Sequence, residues 1–226
     1  MVDRAAEASG PGSHPRSAAR RAEILTAAET VFAERGYAAA RLEDVARRVG
    51  IRRASLVYYF PDKRALYDAV LAGVFGALRS ALEAAFAAAP LDERLAAAVS
   101  AWVRFVGERP TLVRILLREL ADGPPGPGEP SPVAHARPLL QAAEAVVGEG
   151  QRAGFYGPID LVHLGVVLAG ATAFYVAATP ALGADWPFDP LSETGLEQHR
   201  RALLRIAETL MAPASRPAAT PQGDSR

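Results

Sequence analysis

The sequence has no cysteine among its 226 residues. This absence excludes disulfides, thiolate metal ligands, cysteine nucleophiles and thiol redox sensing. The formal net charge is zero, so the chain as a whole carries no excess charge for attracting an acidic or a basic partner. No segment shows a strand pattern strong enough to compete with helical periodicity. Half of the residues are apolar, which is enough for a sizeable core.

Three segments are unsuited to regular structure. Residues 1–16 contain no apolar stretch ahead of a cleavage site, so we expect a disordered leader, no secretory signal and a cytoplasmic protein. Residues 121–132 read ADGPPGPGEPSP, which predicts a mobile loop because glycine and proline break helices. Residues 212–226 are rich in proline and small residues and predict a disordered tail.

Enzymatic and metal-binding motifs are also missing. The histidines lack the spacing of metal ligands, and no nucleophile elbow, phosphate loop or dinucleotide fingerprint occurs. We therefore expect no metal, no cofactor and no catalytic residue. An enzyme is kept as an alternative class, because folding can bring two carboxylates together without leaving a sequence signature, but no reaction has positive support.

Charge is unevenly distributed along this neutral chain. Residues 14–70 carry eleven Lys or Arg against seven Asp or Glu, whereas residues 71–226 carry thirteen against sixteen. This asymmetry predicts a basic module attached to a mildly acidic one. Lys63 is the only lysine, and the predominance of arginine is more typical of coding bias than of function, so arginine content alone is not taken as evidence for nucleic-acid binding.

Three short helical patterns occupy the basic module. Apolar positions at helical spacing predict helices over 17–35, 42–49 and 52–60. Gly36 and Gly50 follow the first two helices and are suited to ending them. Two short helices joined by a turn with glycine are what a helix-turn-helix requires.

The third of these helices has an unusual mixture of side chains. Residues 50–63 read GIRRASLVYYFPDK, and Leu56 and Phe60 share one face at a spacing of four. With these two in the core, the remaining side chains can meet base edges and phosphates in a major groove, where arginine pairs bidentately with guanine. A solvated helix face is the alternative for each residue alone, but the basic three-helix context favours nucleic acid. The predicted contact residues in this helix are Arg52, Arg53, Ser55, Tyr58 and Tyr59.

Residues 21–71 closely resemble the N-terminal DNA-binding domain of TetR/AcrR-family transcriptional regulators. The motifs are A-x-x-x-F-x-x-x-G-Y in the first helix, D-V-A-x-x-x-G in the second, and Y-F-x-x-K-x-x-L after it. The resemblance implies that Lys63 and Tyr59 hold phosphates and that the other contact residues of the third helix face the major groove. Arg41 and Val57 stand where the family often has Thr and Tyr. This departure implies a replaced or shifted phosphate contact at Arg41 and a lost contact at Val57.

The resemblance also implies the architecture. We expect an all-α chain with a helix-turn-helix domain over 17–62 and a helical effector-binding and dimerisation domain over 63–211. The second domain is predicted to contain helices over 63–88, 91–108, 110–121, 133–153, 159–178 and 193–211. Residues 161–178 carry no formal charge and are near the length of a membrane span, so a single-pass membrane protein is an alternative. Small residues, His163 and the lack of flanking basic clusters favour a buried helix instead.

The implied function is that of a homodimeric, ligand-responsive regulator, most often a repressor, bound to palindromic double-stranded operator DNA. The last two helices would pair across the dimer axis, with Gly165 and Ala169 allowing close approach and Leu203 and Ile206 contributing apolar contacts. Ligand pockets between helices are mostly apolar with few polar groups, so we expect a small, largely apolar effector. The candidate effector-binding residues are Trp102, Phe105, His135 and Phe174. The effector, the operator and the choice between repressor and activator stay open.

Overall fold

The computed structural model describes residues 15–122, 132–178 and 189–213. Within these ranges the secondary structure is helical and no strand occurs, which confirms the predicted all-α class. Most of the predicted leader, loop and tail lies outside the described residues. The exceptions are short: residues 15 and 16 begin the first helix, 121 and 122 end a helix, 132 begins another, and 212 and 213 follow α9 without regular structure.

Three helices form the N-terminal end: α1 Pro15–Ala39, α2 Leu42–Val49 and α3 Arg53–Tyr59. Gly36 interrupts α1 with φ 75° and ψ 171°. Glycine adopts a positive φ without steric cost, but this ψ lies outside the left-handed helical region, so the break differs from the expected helix stop. Gly50 ends α2 in the left-handed conformation, with φ 74° and ψ 31°, and turns the chain into α3.

The core of the N-terminal end continues into the fourth helix, α4 Lys63–Ala88. Leu56 of α3 and Phe32 of α1 are buried in the same cluster as Tyr67 of α4. The Phe32 and Tyr67 rings meet edge to face, with centroids 4.7 Å apart. The Asp62 side chain caps α4 by accepting a hydrogen bond from the Ala65 N–H at 2.8 Å. α4 is therefore joined to the N-terminal end by a shared core.

The remaining helices are α5 Arg94–Glu108, α6 Thr111–Asp122, α7 Pro132–Arg152, α8 Leu161–Ala178 and α9 Glu193–Leu210. A 3-10 turn, Leu91–Glu93, precedes α5, where the sequence pattern predicted a continuous helix. α4 packs on α1, α5 and α7, while α8 packs on α6, α7 and α9. α1 contacts both α4 and α6, so these two helices connect it to the rest of the molecule.

One helix in the described part of the chain, α4, is long and apolar enough to cross a membrane by length and composition. The apolar run that the sequence pattern singled out lies in α8 and covers only Leu161–Ala177. A single helix of this kind is weak evidence for a membrane span, because core helices of soluble proteins share both properties. The first half of α4 forms core contacts with α1.

Candidate DNA-binding surface and internal cavity

The predicted DNA-contacting side chains of α3 lie at the surface. Arg52, Arg53 and Ser55 are exposed, and Tyr58 is exposed to 66%. Tyr59 is half-buried and packs against the N-terminal core. Because Leu56 beneath them is fully buried, α3 is fixed to the domain by one face and presents the other to solvent. Arg41 is also exposed, at the start of α2, where its side chain makes no capping hydrogen bond.

Arg53 is not free on this surface. Its Nε lies 2.8 Å from Oε1 of Glu43 on α2, and both side chains are more than half exposed. Exposed ion pairs of this kind contribute little to stability, but this one holds the guanidinium against the neighbouring helix. Glu43 also lies in the first turn of α2, where a negative charge interacts favourably with the helix dipole. A pairing between helices leaves no periodic signal.

Lys63 has internal partners. Its Nζ donates hydrogen bonds to the carbonyl oxygens of Tyr37 at 2.8 Å and Ala38 at 3.1 Å. The ammonium also lies 4.5 Å from the centroid of the Tyr37 ring, a cation–π distance. These contacts tie the first residue of α4 to the end of α1. The predicted phosphate contact of Lys63 stays a prediction, and the internal bonds give this residue a second role.

A buried carboxylate joins α1 to the segment that leads into α6. Glu29 of α1 is exposed to only 6%, and it accepts two hydrogen bonds from Arg109, from Nε at 3.0 Å and from Nη2 at 2.5 Å. The Thr111 hydroxyl donates to the same carboxylate. Bidentate pairing of arginine with a carboxylate is strong and directional, and removal of one partner would leave a buried charge unpaired.

A second contact between α6 and α1 uses the main chain. The Arg118 Nε donates to the carbonyl oxygen of Ala33 at 2.9 Å, and its Nη2 donates to that of Glu34. On another side of α6, Leu112 and Leu116 line a cavity. α6 therefore borders the cavity and is also hydrogen-bonded to α1, which packs against α2.

The cavity has a volume of about 420 Å³ and lies between α4, α5, α6, α7 and α8, within the range of small-molecule sites. Its lining is almost entirely hydrocarbon. Among the lining residues in the part of the chain that the structure describes, Arg94 is the only charged one, and Trp102 and Tyr156 are the only others with a side-chain nitrogen or oxygen. These polar atoms contribute almost nothing to the cavity surface. Apolar ligand surface would therefore be buried there at little cost in hydrogen bonds.

The four candidate effector-binding residues lie in different environments, and one of them lines the cavity. Trp102 lines the cavity. Phe105 is buried in the cluster that α4 shares with α1, and His135 lies with its Nε2 3.6 Å from Oδ1 of Asp68. Phe174 is exposed to 74% on the outer side of α8. Aromatic character alone did not indicate which of these side chains point inward.

The four candidate dimer residues are also placed differently from one another. Gly165 and Ala169 are half-buried and line the cavity, and Leu203 is buried at 1% exposure. Only Ile206 is exposed, on α9. The two small residues therefore border the cavity, and their predicted role in close approach between subunits stays a prediction.

An apolar outer face is formed by other residues of α8 and α9. We define this outer face by its exposed large apolar side chains, which are Val162, Val166, Phe174, Ile206 and Leu210. Val162 and Val166 lie one turn apart on α8, and Ile206 and Leu210 lie one turn apart on α9, which places each pair on one side of its helix. Val162 and Val166 also border the cavity. α8 and α9 pack against each other. The same spacing occurs in the sequence, but α8 is apolar on all sides, so the sequence does not indicate which side is exposed.

A chain of hydrogen bonds links the cavity wall to α9. The Trp102 indole N–H donates to the Thr172 hydroxyl at 2.9 Å, and Thr172 donates to the Leu168 carbonyl at 2.8 Å. His199 Nε2 lies 3.0 Å from the same hydroxyl, so the N–H of a neutral ring donates to it. Burial lowers the pKa of His199 because desolvation disfavours the charged ring. The ring stacks on Tyr175 with centroids 4.1 Å apart.

Comparison with known proteins decides the family. Residues 24–70 match the family model of bacterial regulatory proteins of the tetR family. The HTH-type transcriptional regulator RutR of Escherichia coli K12 is 30% identical over 189 residues, which cover 81% of this chain and 86% of RutR. The chain belongs to the TetR family. The HTH-type transcriptional activator FasR of Mycolicibacterium smegmatis is a further TetR-family relative, 37% identical over 95 residues, 38% of this chain and 40% of FasR.

Solved structures agree on the TetR-family fold. A transcriptional regulator from Streptomyces coelicolor, SCO4942, is 26% identical with a TM-score of 0.59, over 85% of this chain and 98% of that one. FadR from Bacillus subtilis, solved in complex with stearoyl-CoA, is 17% identical with a TM-score of 0.58, over 81% of this chain and 97% of that one. At that identity the FadR likeness shows the fold alone. TetR-family membership makes this protein a transcriptional regulator with a helix-turn-helix domain and a helical second domain.

The buried His199 predicts a pH dependence of stability. Its pKa is lowered in the folded state, so the unfolded chain binds the proton more readily, and stability falls as the pH drops below the usual histidine pKa of about 6.5. His199→Gln, whose amide can still donate to Thr172, should show a smaller loss between pH 7 and pH 5, measured by urea denaturation. An unchanged slope in His199→Gln would contradict the assignment.

Proposed function

We propose that the protein is a cytoplasmic, homodimeric regulator that binds a palindromic operator and is released from it when a small, largely apolar molecule enters the cavity. The main support for this proposal is the position of α6 between the cavity and α1. This helix supplies Leu112 and Leu116 to the cavity and holds α1 through Arg118. Occupation of the cavity is thereby coupled to the helices that position α3.

DNA binding is proposed to use the exposed side of α3. Arg52 and Arg53 are the cations on this helix, and Ser55 and Tyr58 share its exposed side. Insertion into a major groove would require Arg53 to exchange Glu43 for a base edge or a phosphate. Tyr59, Lys63 and Arg41 are the proposed phosphate contacts. Operator recognition by two such helices needs a dimer with its half-sites about one helical turn apart.

The outer face is the proposed dimer interface. Its α8 side chains Val162, Val166 and Phe174 are exposed to more than half, and burial of side chains this large stabilises association by about 1.5–3 kcal/mol each. A two-fold axis would bring each residue to the same face of a second copy, so every contact is made twice. Ile206 and Leu210 of α9 extend the same face.

Release is proposed to result from a change in the position of α6. A ligand between α4, α5, α6 and α7 contacts Leu116 and pushes on the helix whose Arg118 and preceding Arg109 are bonded to α1. Because the ligand and the DNA favour different arrangements of α6, binding of one weakens binding of the other. Coupling energies of this kind are typically about 1–3 kcal/mol.

The operator prediction is tested by selecting genomic fragments with the purified protein at two salt concentrations. We expect one palindromic site with half-sites a helical turn apart. Arg53→Gln should reduce affinity by about 1–3 kcal/mol per half-site and relax the preference at one base position, since arginine reads guanine directly. Arg79→Gln, an exposed arginine of α4, is the matched control.

Lys63→Gln provides a second arm of this experiment. It should reduce binding to all sequences and flatten the salt dependence, because a phosphate contact is lost. It should also lower the melting temperature of the free protein, because the bonds to Tyr37 and Ala38 are lost. Recovery of no enriched site, or parent-like binding by both Arg53→Gln and Lys63→Gln, would refute the proposed DNA interface.

The dimer prediction is tested by Val166→Glu. A carboxylate at the centre of the outer face would be buried twice without a partner, so we expect the dimer dissociation constant to rise by about two orders of magnitude or more. Analytical ultracentrifugation measures it. Ala77→Glu adds the same charge at an exposed position of α4 and should have a smaller effect. A Val166→Glu protein that remains dimeric at nanomolar concentration would place the interface elsewhere.

The coupling prediction uses a substitution in place of a ligand. Ala98→Phe fills part of the cavity and should weaken operator binding by mimicking occupation. In an Arg118→Gln background this weakening should shrink, because α6 no longer holds the carbonyls of α1. Arg114→Gln removes an exposed arginine from the same helix and should leave the effect of Ala98→Phe intact. Equal effects of Ala98→Phe in both backgrounds would exclude transmission through Arg118.

A further inference from the structure

The cavity is open on the side formed by α8. Among the lining residues that the structure describes, Val162 and Val166 are the two exposed ones, at 56% and 65%. The lining residues Phe75 and Leu78 of α4 and Leu112 of α6 are buried, so the cavity is closed on that side. A side chain that borders a cavity and is also exposed to solvent lies at the rim of the cavity. The mouth is therefore at Val162 and Val166.

The mouth belongs to the outer face. Val162 and Val166 are two of the side chains that define this face, so the rim of the cavity and the outer face form one continuous apolar surface. A ligand in the cavity would add its own apolar surface at the mouth. Contact of this surface with water is unfavourable, and large exposed apolar patches mark sites where another molecule binds. We therefore expect the mouth to be covered in the working protein.

The exposed side of α8 also carries no formal charge. The helix reads LVHLGVVLAGATAFYVAA, without Asp, Glu, Lys or Arg, and His163 is its only histidine. The neighbouring α9, in contrast, exposes Arg201 and Arg205. Charged residues are depleted at the core of protein interfaces relative to the remaining surface. The composition of α8 therefore fits a helix that is covered by protein.

We propose that a second copy of this chain closes the cavity, so that the effector site is complete only in the dimer. Recognition of a palindromic operator needs two copies related by a two-fold axis. When the outer face forms the contact, the same face of the partner lies over it, and apolar side chains of the partner subunit cover the mouth at Val162 and Val166. The inference rests on the proposed function for the use of the outer face as the dimer interface.

A site completed by the partner links ligand binding to dimerisation. The ligand touches both subunits in the dimer and only one in the monomer, so it binds the dimer more tightly. Linkage is reciprocal, so each bound ligand strengthens the dimer by the same factor by which dimerisation strengthens ligand binding. The effector should therefore release the operator from an intact dimer, and separation of the subunits would play no part in release.

The first test uses N-phenyl-1-naphthylamine, an uncharged and almost entirely apolar fluorescent molecule, as the probe. Fluorescence-detected ultracentrifugation of the full-length parent protein, with and without saturating probe, gives the dissociation constant of the dimer. We expect the probe to lower this constant about fivefold or more, because the probe is buried more completely in the dimer. A constant that the probe leaves unchanged or raises would overturn the inference, and so would a parent dimer that does not bind the probe.

The second test separates the interface from the cavity with Phe174→Glu. Phe174 is 74% exposed on the outer face and is not among the described residues that line the cavity. The variant should dissociate the dimer, and its monomer should bind the probe about fivefold or more weakly than the parent dimer does. Ile206→Glu should give the same result from α9. Ala77→Glu adds the same charge at an exposed position of α4 and should keep both the dimer and the probe affinity of the parent.

The outcomes distinguish the inference from the proposed function. If Phe174→Glu dissociates the dimer but its monomer binds the probe as tightly as the parent dimer, the partner does not complete the site, so the inference fails while the proposed interface stands. If Phe174→Glu and Val166→Glu both remain dimeric, the proposed interface is wrong and the inference fails with it. If probe binding and dimerisation are coupled as expected but no DNA fragment is enriched, the inference stands and the proposed operator recognition fails.

Discussion

The carboxylate of Glu29 is the constraint on which the relation between the two halves of the molecule depends. It is buried in α1, and its charged and hydroxyl partners among the described residues, Arg109 and Thr111, lie across the boundary. A buried charge tolerates little displacement, because each lost hydrogen bond exposes it to an apolar medium that cannot solvate it. The start of α6 must therefore follow α1 closely. The apolar contacts of α4 with α1 are less directional and would allow more sliding.

Much of the helix pattern could be predicted from the sequence, because the signals are local. Gly50 marks the end of α2, and the apolar spacing marks the extent of α2 and α4. The same local signals did not predict the backbone conformation at two helix ends. The break at Gly36 is not the left-handed stop that the pattern suggested, and the segment before α5 begins with a 3-10 turn.

The candidate sites were predictable to a lesser degree. The exposed side of α3 follows from two buried residues four apart, and a short helix has only one other side. The direction of α8 side chains does not follow from its sequence, because apolar residues surround the whole helix and give no preferred face. Gly165 and Ala169 therefore turned out to line the cavity, and Phe174 to lie outside it. The partners of Lys63 and Glu29 are distant in sequence, so no spacing rule could have found them.

The ion pair between Arg53 and Glu43 bears on how the protein would search a genome. Non-specific attraction to DNA is set by the cations available to phosphates, and a guanidinium already paired with a carboxylate contributes less to it. If Arg53 reads guanine as proposed, exchanging Glu43 for a phosphate on an arbitrary sequence would bring little gain, and residence there would be short. At the correct base the bidentate contact with guanine would compensate for the lost ion pair. A weak surface ion pair, of little value to stability, would thus sharpen the contrast between the operator and the rest of the chromosome.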